Sequence, residues 1–427
     1  MNDEQKYIQK RMWKARVQSI LFYLCRIFPI RKKKIVFCCI EGTTGYTCNP
    51  KYLAQELIRR DKGYELVWLV NDTEKKFPKE IKAVRNSLWN RARHLTTAHF
   101  WVDNSRKQLE VRKRKGQIYI QTWHAKLGFK PTCLDRGASF SRIAYLVSKH
   151  DSDMIDYVLS NSKWYDRTLA TGMIYEGAVL RTGSPRCDIL VNDRNEIRRK
   201  VRSDYRLSEN EKILMFAPTF RGGSQEKDRV IAVNPSFPDF GKLTRILEDR
   251  FGGRWHIFLR LHPQLVARGL DRNVSGAHKN ITDVSRADDM YEILAGCDAF
   301  MTDYSSAAFD SAVMRISIFL YADDYPEYEK ERGKLLWDLR KLPFPLAVND
   351  VELREKISGF DQQTYETDLD RLFSDTEMEE SGTASADLAD LIEVWTERKV
   401  KCMPHKEKCV IRNGEAERNG ISRTFFK

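Results

Sequence analysis

Four short polar segments hold the residue types from which a group-transfer reaction could be built. They are Gln121-Thr122-Trp123-His124, Ala217-Pro218-Thr219-Phe220-Arg221, Arg260-Leu261-His262-Pro263 and Thr302-Asp303-Tyr304-Ser305-Ser306. Histidine titrates near neutral pH, so His124 and His262 could accept a proton from an attacking hydroxyl or protonate a leaving phosphate. Arg221 suits bidentate binding of a phosphate oxyanion. The segments therefore indicate transfer at a phosphorus atom or at a sugar carbon.

The fourth segment has the features of an anion site. A buried strand is predicted at Ala299–Thr302 and a helix at Ala307–Met314. Ser305 and Ser306 therefore fall at the helix start, where hydroxyls and free backbone N–H groups bind anions. In a parallel sheet, phosphorylated ligands bind at the carboxyl ends of strands. An ordinary capped helix is the alternative interpretation of this segment taken alone.

Several common cofactor and hydrolase motifs are absent from the sequence. There is no GxxxxGK[ST] phosphate loop and no GxGxxG fingerprint, which weighs against ATPase and NAD-dependent functions. No GxSxG nucleophile elbow is present either. We assign no cofactor and no metal-ligating residues, and we interpret the acidic pairs Asp288-Asp289 and Asp323-Asp324 as solvated loop charges.

Apolar runs of strand length alternate with helical segments from residue 35 to residue 398. The runs are Ile35–Ile40, Glu65–Val70, His99–Val102, Ile118–Thr122, Tyr157–Ser160 and Ala178–Arg181, then Ile213–Ala217, His256–Leu261, Asn280–Asp283, Ala299–Thr302 and Ser317–Tyr321. This alternation predicts parallel α/β sheets with helices on both faces. The polar stretch Arg206–Lys212 separates the two series. We therefore predict two doubly wound domains, 35–205 and 206–398, with a ligand cleft between the carboxyl ends of their strands.

The net charge of +13 lies entirely in the two ends of the 427-residue chain. Residues 1–34 hold ten Lys or Arg against two acidic residues, residues 399–427 hold eight against three, and the remainder is neutral. A nucleic-acid binder is usually basic throughout its globular part, so this distribution favours attachment to an anionic surface instead. The nine cysteines are scattered, which fits a reducing cytosol. The tail from residue 399 is predicted to be disordered.

The amino-terminal arm, residues 1–34, combines an apolar helix face with basic residues. Its apolar residues at helical spacing are Trp13, Val17, Ile20, Leu21, Leu24, Ile27 and Phe28. Pro29 ends the helix, and the basic run Arg31–Lys34 follows. This pattern predicts an interfacial helix that lies on an anionic bilayer. The alternative is an amphipathic helix packed on the protein's own surface.

A second basic run lies between residues 106 and 115. It includes Arg112, Lys113, Arg114 and Lys115, which precede the strand that leads to His124. We expect these four residues to face lipid headgroups or the diphosphate of an acceptor. A solvated loop is the alternative.

Seven short motifs lie in order between about residue 35 and about residue 350. They are Asn49-Pro50-Lys51-Tyr52, Gln121-Thr122-Trp123-His124, Thr182-Gly183-Ser184-Pro185-Arg186-Cys187-Asp188, Ala217-Pro218-Thr219-Phe220-Arg221, Leu261-His262-Pro263, Thr302-Asp303-Tyr304-Ser305-Ser306 with Phe309-Asp310, and Arg332-Gly333. Each motif is weak alone, but the ordered set resembles that of the CDP-glycerol glycerophosphotransferase family. These are the teichoic-acid primases and polymerases of cell-wall and capsule synthesis.

The resemblance implies a GT-B fold, in which two Rossmann-like domains face each other across a cleft. It implies that a hydroxyl of a polyprenyl-diphosphate-linked acceptor attacks the alditol-bearing phosphate of CDP-glycerol or CDP-ribitol, and that CMP leaves. The acceptor belongs to the amino-terminal domain and the nucleotide to the carboxyl-terminal domain. The resemblance also implies a peripheral protein on the cytoplasmic face of the membrane.

Carried over to this chain, the resemblance makes His124 and His262 the acid–base pair, with His124 as the base. The residues that would hold the donor diphosphate are Thr219, Arg221, Ser305 and Ser306. Asp303 would orient the loop that contains Ser305 and Ser306, or would contact the ribose. The family usually has glycine after Trp-His, where this chain has Ala125. A glycosyltransferase that uses a nucleotide-sugar and a non-catalytic membrane scaffold are the alternative functions. Glycerol or ribitol, the acceptor, primase or polymerase, a metal requirement and the oligomeric state stay open.

Overall fold

A computed structural model describes residues 3–219, 221, 237–262, 266, 279–332, 334–397 and 410–412. The chain forms two compact units, each with its own parallel sheet. Unit 1 contains the chain up to Lys126, Thr132–Asp188 and the chain from Glu379 onward. Unit 2 contains Leu127–Pro131 and Ile189–Met378.

Unit 1 is built on an eight-stranded sheet. Its strands are β1 (Arg31–Cys38), β2 (Glu65–Val70), β3 (Ile81–Arg85), β4 (Ala98–Asp103), β5 (Ile118–Gln121), β6 (Tyr157–Leu159), β7 (Ala178–Arg181) and, after the strands of unit 2, β14 (Val410–Arg412). Their order is β14-β7-β6-β5-β4-β1-β2-β3, and every neighbouring pair is parallel. The order reverses between β1 and β4, so loops after these two strands flank the topological switch point.

Helices cover both faces of this sheet. They are α1 (Asp3–Leu24), Cys48–Arg60, Leu88–Thr97, Arg142–Ser152, Lys163–Gly172 and Ala384–Glu397, with 3₁₀ turns at Cys25–Ile27, Ile40–Gly42, Cys133–Ser139 and Pro185–Cys187. Alternate residues of β1 enter opposite cores: Ile35 and Phe37 pack with Trp395, whereas Val36 packs with Phe22. Two-sided burial explains why residues 35–38 of β1 and 66–70 of β2 are continuous apolar runs.

Unit 2 repeats this plan with six strands. They are β8 (Lys212–Phe216), β9 (Trp255–Leu259), β10 (Ile281–Asp283), β11 (Ala299–Thr302), β12 (Ser317–Tyr321) and β13 (Leu346–Ala347). The described helices are Asp188–Val191, which begins at the unit boundary, Asn195–Asp204, Phe240–Phe251, Met290–Leu294, Ala307–Ala312, Tyr325–Arg332, Asp350–Ser358 and Gln362–Thr376, with a 3₁₀ turn at Leu339–Lys341. The parallel order β10-β9-β8-β11-β12-β13 matches that of β3 to β6 around β1 in unit 1. The predicted class, two doubly wound Rossmann-like domains, is confirmed.

The unit boundaries differ from the predicted 205/206 and 398/399. Helix Asn195–Asp204 joins unit 2 because the buried Arg202 guanidinium pairs with Asp298 and donates to Gly296 O. The last helix, Ala384–Glu397, joins unit 1 because the Trp395 ring stacks on Tyr157, with 4.7 Å between ring centroids. The predicted disordered tail lies outside the described residues apart from β14.

Helix α1 has one buried face and one exposed apolar face. Ala15, Ser19 and Phe22 are buried, and Phe22 packs in a core with Leu95 of the Leu88–Thr97 helix. The opposite stripe is exposed and comprises Trp13, Val17, Ile20, Leu24 and, beyond the helix end, Ile27. Packing on the protein's own surface therefore accounts for only one of the two faces. In the described part of the chain, no helix is both long enough and apolar enough to span a membrane.

Candidate functional site

His124 lies three residues after the end of β5, and its ring orientation is fixed by the backbone. Its Nδ1 atom is 2.7 Å from the carbonyl oxygen of Asn104, which follows β4. Because a carbonyl can only accept, Nδ1 carries the proton and the neutral ring presents a lone pair at Nε2. Burial lowers the pKa of His124, and Arg186 and Arg106 add to this effect. The imidazole is therefore neutral near pH 7 and can act as a base.

The residue before His124 has a strained backbone. Trp123 has a φ of +50°, which is uncommon for a bulky side chain. Two motif residues hold this conformation: Gln121 Oε1 accepts from Trp123 N at 3.0 Å, and Asn49 Nδ2 donates to Trp123 O at 2.9 Å. Strained residues persist where the surrounding structure over-determines them, and they cluster at functional sites. The contacts explain why Gln121 and Asn49 belong to motifs, a role that sequence reasoning missed.

Asn49 joins three of the sequence motifs at one edge of the sheet. Its side chain bonds the Trp123 backbone, and its Oδ1 accepts from Arg186 N at 3.1 Å. Nearby, Lys126 Nζ donates to Ser184 Oγ at 2.7 Å. The motifs around residues 49, 123 and 184 therefore converge beside His124 within unit 1.

Ala125 is compatible with the local backbone. Trp123 is a positive-φ residue, but Ala125 is not. An alanine side chain is disfavoured only in the left-handed region, so the departure from the family's usual glycine needs no change of backbone here.

In unit 2, Asp303 joins the loops that follow β8 and β11. Its carboxylate accepts from Thr219 N at 2.9 and 3.0 Å, and its Oδ2 accepts from Arg221 Nη1 at 2.6 Å. The side chain is 2% exposed. β8 and β11 are the strands between which the sheet order reverses, so Asp303 fixes the two loops at the switch point. Its contacts agree with the expected loop-orienting role.

Arg221 is enclosed by two carboxylates. Its Nε and Nη2 donate to the two oxygens of Asp324 at 2.6 and 3.0 Å. Its Nη1 donates to Asp303 Oδ2 and to the carbonyl oxygen of Thr219. The guanidinium also stacks on Tyr304, with its Cζ 4.9 Å from the ring centroid. The interpretation of Asp324 as a solvated loop charge is therefore wrong, because Asp324 is one half of a bidentate ion pair. Arg221 has few N–H groups left for a phosphate unless it exchanges partners.

Ser305 and Ser306 precede a helix shorter than predicted. The helix spans Ala307–Ala312, fewer than two turns, so its dipole adds little. Ser305 Oγ accepts from Ala307 N at 3.3 Å. Ser306 occupies the N-cap position without a side-chain capping bond. In the part of the chain that the structure describes, its hydroxyl has no protein partner, so it is open to a ligand oxygen.

His262 follows β9, and its loop is fixed by neighbouring hydrogen bonds. Leu261 N donates to Ser285 Oγ at 2.8 Å, and Arg260 Nη1 donates to Val284 O at 2.6 Å. His262 is exposed to solvent. The surrounding protein, with Lys130 and Arg260, nevertheless lowers its pKa to about 4. His262 is therefore a neutral hydrogen-bond donor and acceptor at neutral pH.

The basic residues at 112–115 lie at the other end of β5 from His124. They precede the strand, whereas His124 follows it. Lys113 pairs with Asp156, Arg112 Nη1 donates to Leu109 O at 2.6 Å, and Arg114 Nη1 donates to Phe28 O at 2.7 Å. Since Arg112, Lys113, Arg114 and Lys115 precede β5, they lie at the opposite end of that strand from the His124 loop. An acceptor role at that histidine therefore has no support from their position, and membrane contact stays a prediction.

Sequence comparison places relatives of this chain in teichoic acid synthesis. The family model for CDP-Glycerol:Poly(glycerophosphate) glycerophosphotransferase matches residues 20–393. The teichoic acid poly(glycerol phosphate) polymerase of Staphylococcus epidermidis is 27% identical over 380 residues, which cover 85% of this chain and 51% of the relative. The Bacillus subtilis polymerase of the same name is 26% identical over 360 residues, 81% of this chain and 46% of the relative. The chain thus spans about half the length of these curated relatives.

Comparison with solved structures also finds similarity to a teichoic acid polymerase. The wall teichoic acid polymerase TagF has a TM-score of 0.75 with this chain at 26% identity, and the match covers 93% of this chain and 99% of that chain. A TagF variant soaked with CDPG gives the same TM-score and coverage at 25% identity. Since the family model covers most of the chain, the chain belongs to the CDP-glycerol:poly(glycerophosphate) glycerophosphotransferase family.

Proposed function

We propose that this protein transfers an alditol phosphate from a CDP-activated donor, such as CDP-glycerol, to a hydroxyl of a lipid-linked acceptor. The acceptor oxygen forms a bond to the alditol-bearing phosphorus, the bond from that phosphorus to the CMP oxygen breaks, and CMP leaves. The hydroxyl proton passes to Nε2 of His124. The observation that carries the proposal is the fixed, neutral imidazole of His124, whose Nδ1 bonds Asn104 O at 2.7 Å. Family membership supports the same reaction.

In this proposal the residues of unit 2 hold the donor. The hydroxyls of Thr219, Ser305 and Ser306 bind the diphosphate, while Asp303 and Arg221 keep their loops in place. His262, neutral near pH 7, donates a hydrogen bond to the leaving phosphate. A phosphate monoester is a good leaving group, so stabilisation by a hydrogen bond is sufficient. The TagF variant soaked with CDPG supports the choice of a CDP-linked donor.

The experiment that tests the reaction class compares donors. Purified protein is incubated with CDP-glycerol, CDP-ribitol or UDP-sugars, each with a lipid-linked acceptor, and the released nucleotide is measured. CMP release with one CDP-alditol identifies both the reaction and the donor. UDP release would instead indicate a glycosyltransferase, and turnover with none of the donors would indicate a non-catalytic membrane protein.

The reaction should lose rate in acid. His124 must be neutral to accept a proton, and burial and two arginines lower its pKa below the usual 6.5. We therefore expect kcat/KM for CDP-glycerol to be constant from about pH 7 to pH 8 and to fall about tenfold per pH unit once the pH drops below that pKa. Initial rates of CMP release, measured from pH 8 down through the acid limb, give this pH dependence of kcat/KM. An acid limb centred above pH 7 would contradict the assignment of His124.

We also propose that α1 binds the surface of an anionic bilayer, which would place the protein at the cytoplasmic face of the cell membrane. The exposed stripe of α1 is apolar, Trp13 is 67% exposed, and basic residues such as Lys10 and Lys14 lie on the same helix. Such a helix buries its apolar side chains at the lipid interface and attracts anionic headgroups.

Loss of this stripe should release the protein from lipid. Replacing Trp13, Ile20 and Leu24 by serine removes three exposed apolar side chains, each worth about 1.5–3 kcal/mol when buried. We expect at least about a hundredfold weaker co-sedimentation with phosphatidylglycerol vesicles. Val351→Ser, at a residue also 67% exposed, is the matched control and should bind as wild type. Deleting residues 1–34 is a poorer test, because it removes Phe22 from the core and part of β1.

A further inference from the structure

The residues that would hold the donor diphosphate supply little positive charge for it. Thr219, Ser305 and Ser306 supply hydroxyls, and His262 is neutral near pH 7. Arg221 is charged, but its Nε, Nη1 and Nη2 all donate to protein oxygens, and two carboxylates enclose it. The diphosphate of the donor carries a negative charge on each phosphate, and Lys or Arg side chains usually bind such groups. A further cation is therefore needed beside these residues.

A short segment from the amino-terminal half of the chain lies beside this donor loop. Residues 127–131 belong to unit 2, although the chain on either side of them belongs to unit 1. Phe129 is 1% exposed, and its ring packs on Phe309 with 4.8 Å between centroids. The carbonyl oxygens of Gly128 and Phe129 both accept hydrogen bonds from unit 2. A side chain at Gly128 would contact Ser306, since its Cβ would lie 4.0 Å from Ser306 Cβ. The segment is thus fixed against the loop that contains Ser306.

Lys130 belongs to this segment, and its ammonium lies near the aromatic residues of the donor loop. Its Nζ is 5.7 Å from the ring centroid of Tyr328, and that ring stacks on Tyr304 with 3.8 Å between centroids. Tyr304 directly precedes Ser305 in the chain. Desolvation lowers the pKa of His262, and the charge of Lys130 is the next largest cause. Because charges shift a pKa at short range, the ammonium lies close to His262 as well as to Tyr328.

Arg260 is a second cation that acts on His262, but its own surroundings engage its charge. Its Nη1 donates to Val284 O and Ala287 O, each at 2.6 Å. Burial lowers the pKa of Arg260, and the carboxylate of Asp289 is the largest opposing influence. Arg260 therefore holds the loops of unit 2 together, much as Arg221 does.

We propose that Lys130 binds the donor diphosphate at the phosphate that leaves with CMP. This inference rests on the proposed function, in which His262 donates a hydrogen bond to the same phosphate. A lysine ammonium is a compact charge on a flexible stem, so it can move from the Tyr328 ring to a phosphate oxygen. The leaving phosphate gains negative charge as its bond to the alditol-bearing phosphorus breaks. A cation beside it lowers the barrier as well as the dissociation constant of the donor.

Calorimetric titration of CDP-glycerol into wild type and Lys130→Gln tests this role. Glutamine keeps a polar side chain without the charge, so we expect about ten- to a hundredfold weaker binding, the range of a lost charge-assisted hydrogen bond. Lys130→Arg should recover part of the affinity. Lys212→Gln is the matched control and should bind as wild type. The Lys212 ammonium also lies near an aromatic ring, 5.8 Å from the centroid of Trp255, but Lys212 is at the start of β8, at the opposite end from the donor loop.

Titration with a UDP-sugar separates this inference from the proposed function. If Lys130→Gln weakens binding of the UDP-sugar, and CDP-glycerol is neither bound nor turned over, the diphosphate site stands and only the proposed function fails. Equal donor affinity in wild type and Lys130→Gln overturns the inference. So does a loss of affinity that arginine does not restore and that comes with a lower midpoint of urea unfolding, because a merely structural lysine would produce that pattern.

Discussion

Replacement of His124 by asparagine is expected to reduce CMP release by at least about a hundredfold, the usual contribution of a positioned general base. The asparagine amide can still donate to the Asn104 carbonyl that now holds Nδ1, so the loop keeps its contact. What disappears is the lone pair at Nε2, which accepts the hydroxyl proton. Turnover with saturating CDP-glycerol measures the effect. Calorimetric titration with CDP-glycerol should show unchanged donor binding, since His124 belongs to unit 1 and the donor residues to unit 2.

The substitution His262→Ala tests the other histidine of the proposed pair, which acts on the leaving phosphate. It removes the hydrogen bond to the leaving phosphate, so we expect a similar loss of kcat together with weaker binding of CMP. A His124 variant with near-normal turnover would remove that residue from the mechanism. If His124→Asn weakened donor binding as much as turnover, its role would be binding rather than proton transfer.

Replacement of Arg221 by methionine is expected to destabilise unit 2 by about 3–5 kcal/mol, the usual effect of removing one partner from a buried ion pair. Asp303 would keep a carboxylate only 2% exposed and lose its cationic neighbour, while Asp324 would lose both bonds to the guanidinium. The midpoint of urea unfolding, followed by circular dichroism, measures the change. Arg221→Lys should recover only part of it, because an ammonium cannot serve both carboxylates in the same planar geometry.

Arg315→Met is the matched control for this experiment. Arg315 also pairs with an aspartate in unit 2, but its side chain is 46% exposed and that of Asp370 is 62% exposed. An exposed pair contributes about 0–1 kcal/mol. If the two arginine variants unfolded at the same urea concentration, the proposed structural role of Arg221 would be wrong.

Sequence patterns predicted the fold because strands that are buried on both faces of a sheet consist mainly of apolar residues. β1 ends in the buried apolar run of residues 35–38 and β2 in the buried apolar run of residues 66–70, and each of the four polar segments lies at the carboxyl end of a strand in a parallel sheet. The rule that ligands bind at carboxyl ends of strands therefore located His124 and the loop at Asp303 without any coordinates.

Other features depend on contacts that no local pattern encodes. One of the two carboxylate partners of Arg221 is Asp324, which lies 103 residues further along the chain, and the sequence around the acidic pair Asp323-Asp324 gives no sign of that contact. The tautomer of His124 is set by a hydrogen bond to a backbone carbonyl. Because every residue has a carbonyl, no sequence pattern reveals this contact. The apolar face predicted for α1 left out Phe22, which is buried in a core with Leu95, whereas Trp13 on the predicted face is exposed.

The return of helix Ala384–Glu397 to unit 1 has a consequence for synthesis of the chain on the ribosome. Leu388, Ile392 and Trp395 complete a core whose other members include Phe37 and Tyr157. That core stays open until residue 395 has left the exit tunnel, whereas Ile189–Met378 of unit 2 is continuous. Domains usually fold as units in the order in which they emerge. Here most of unit 2 is available before unit 1 can close, so a nascent chain halted near residue 378 would display an apolar surface for chaperones to protect.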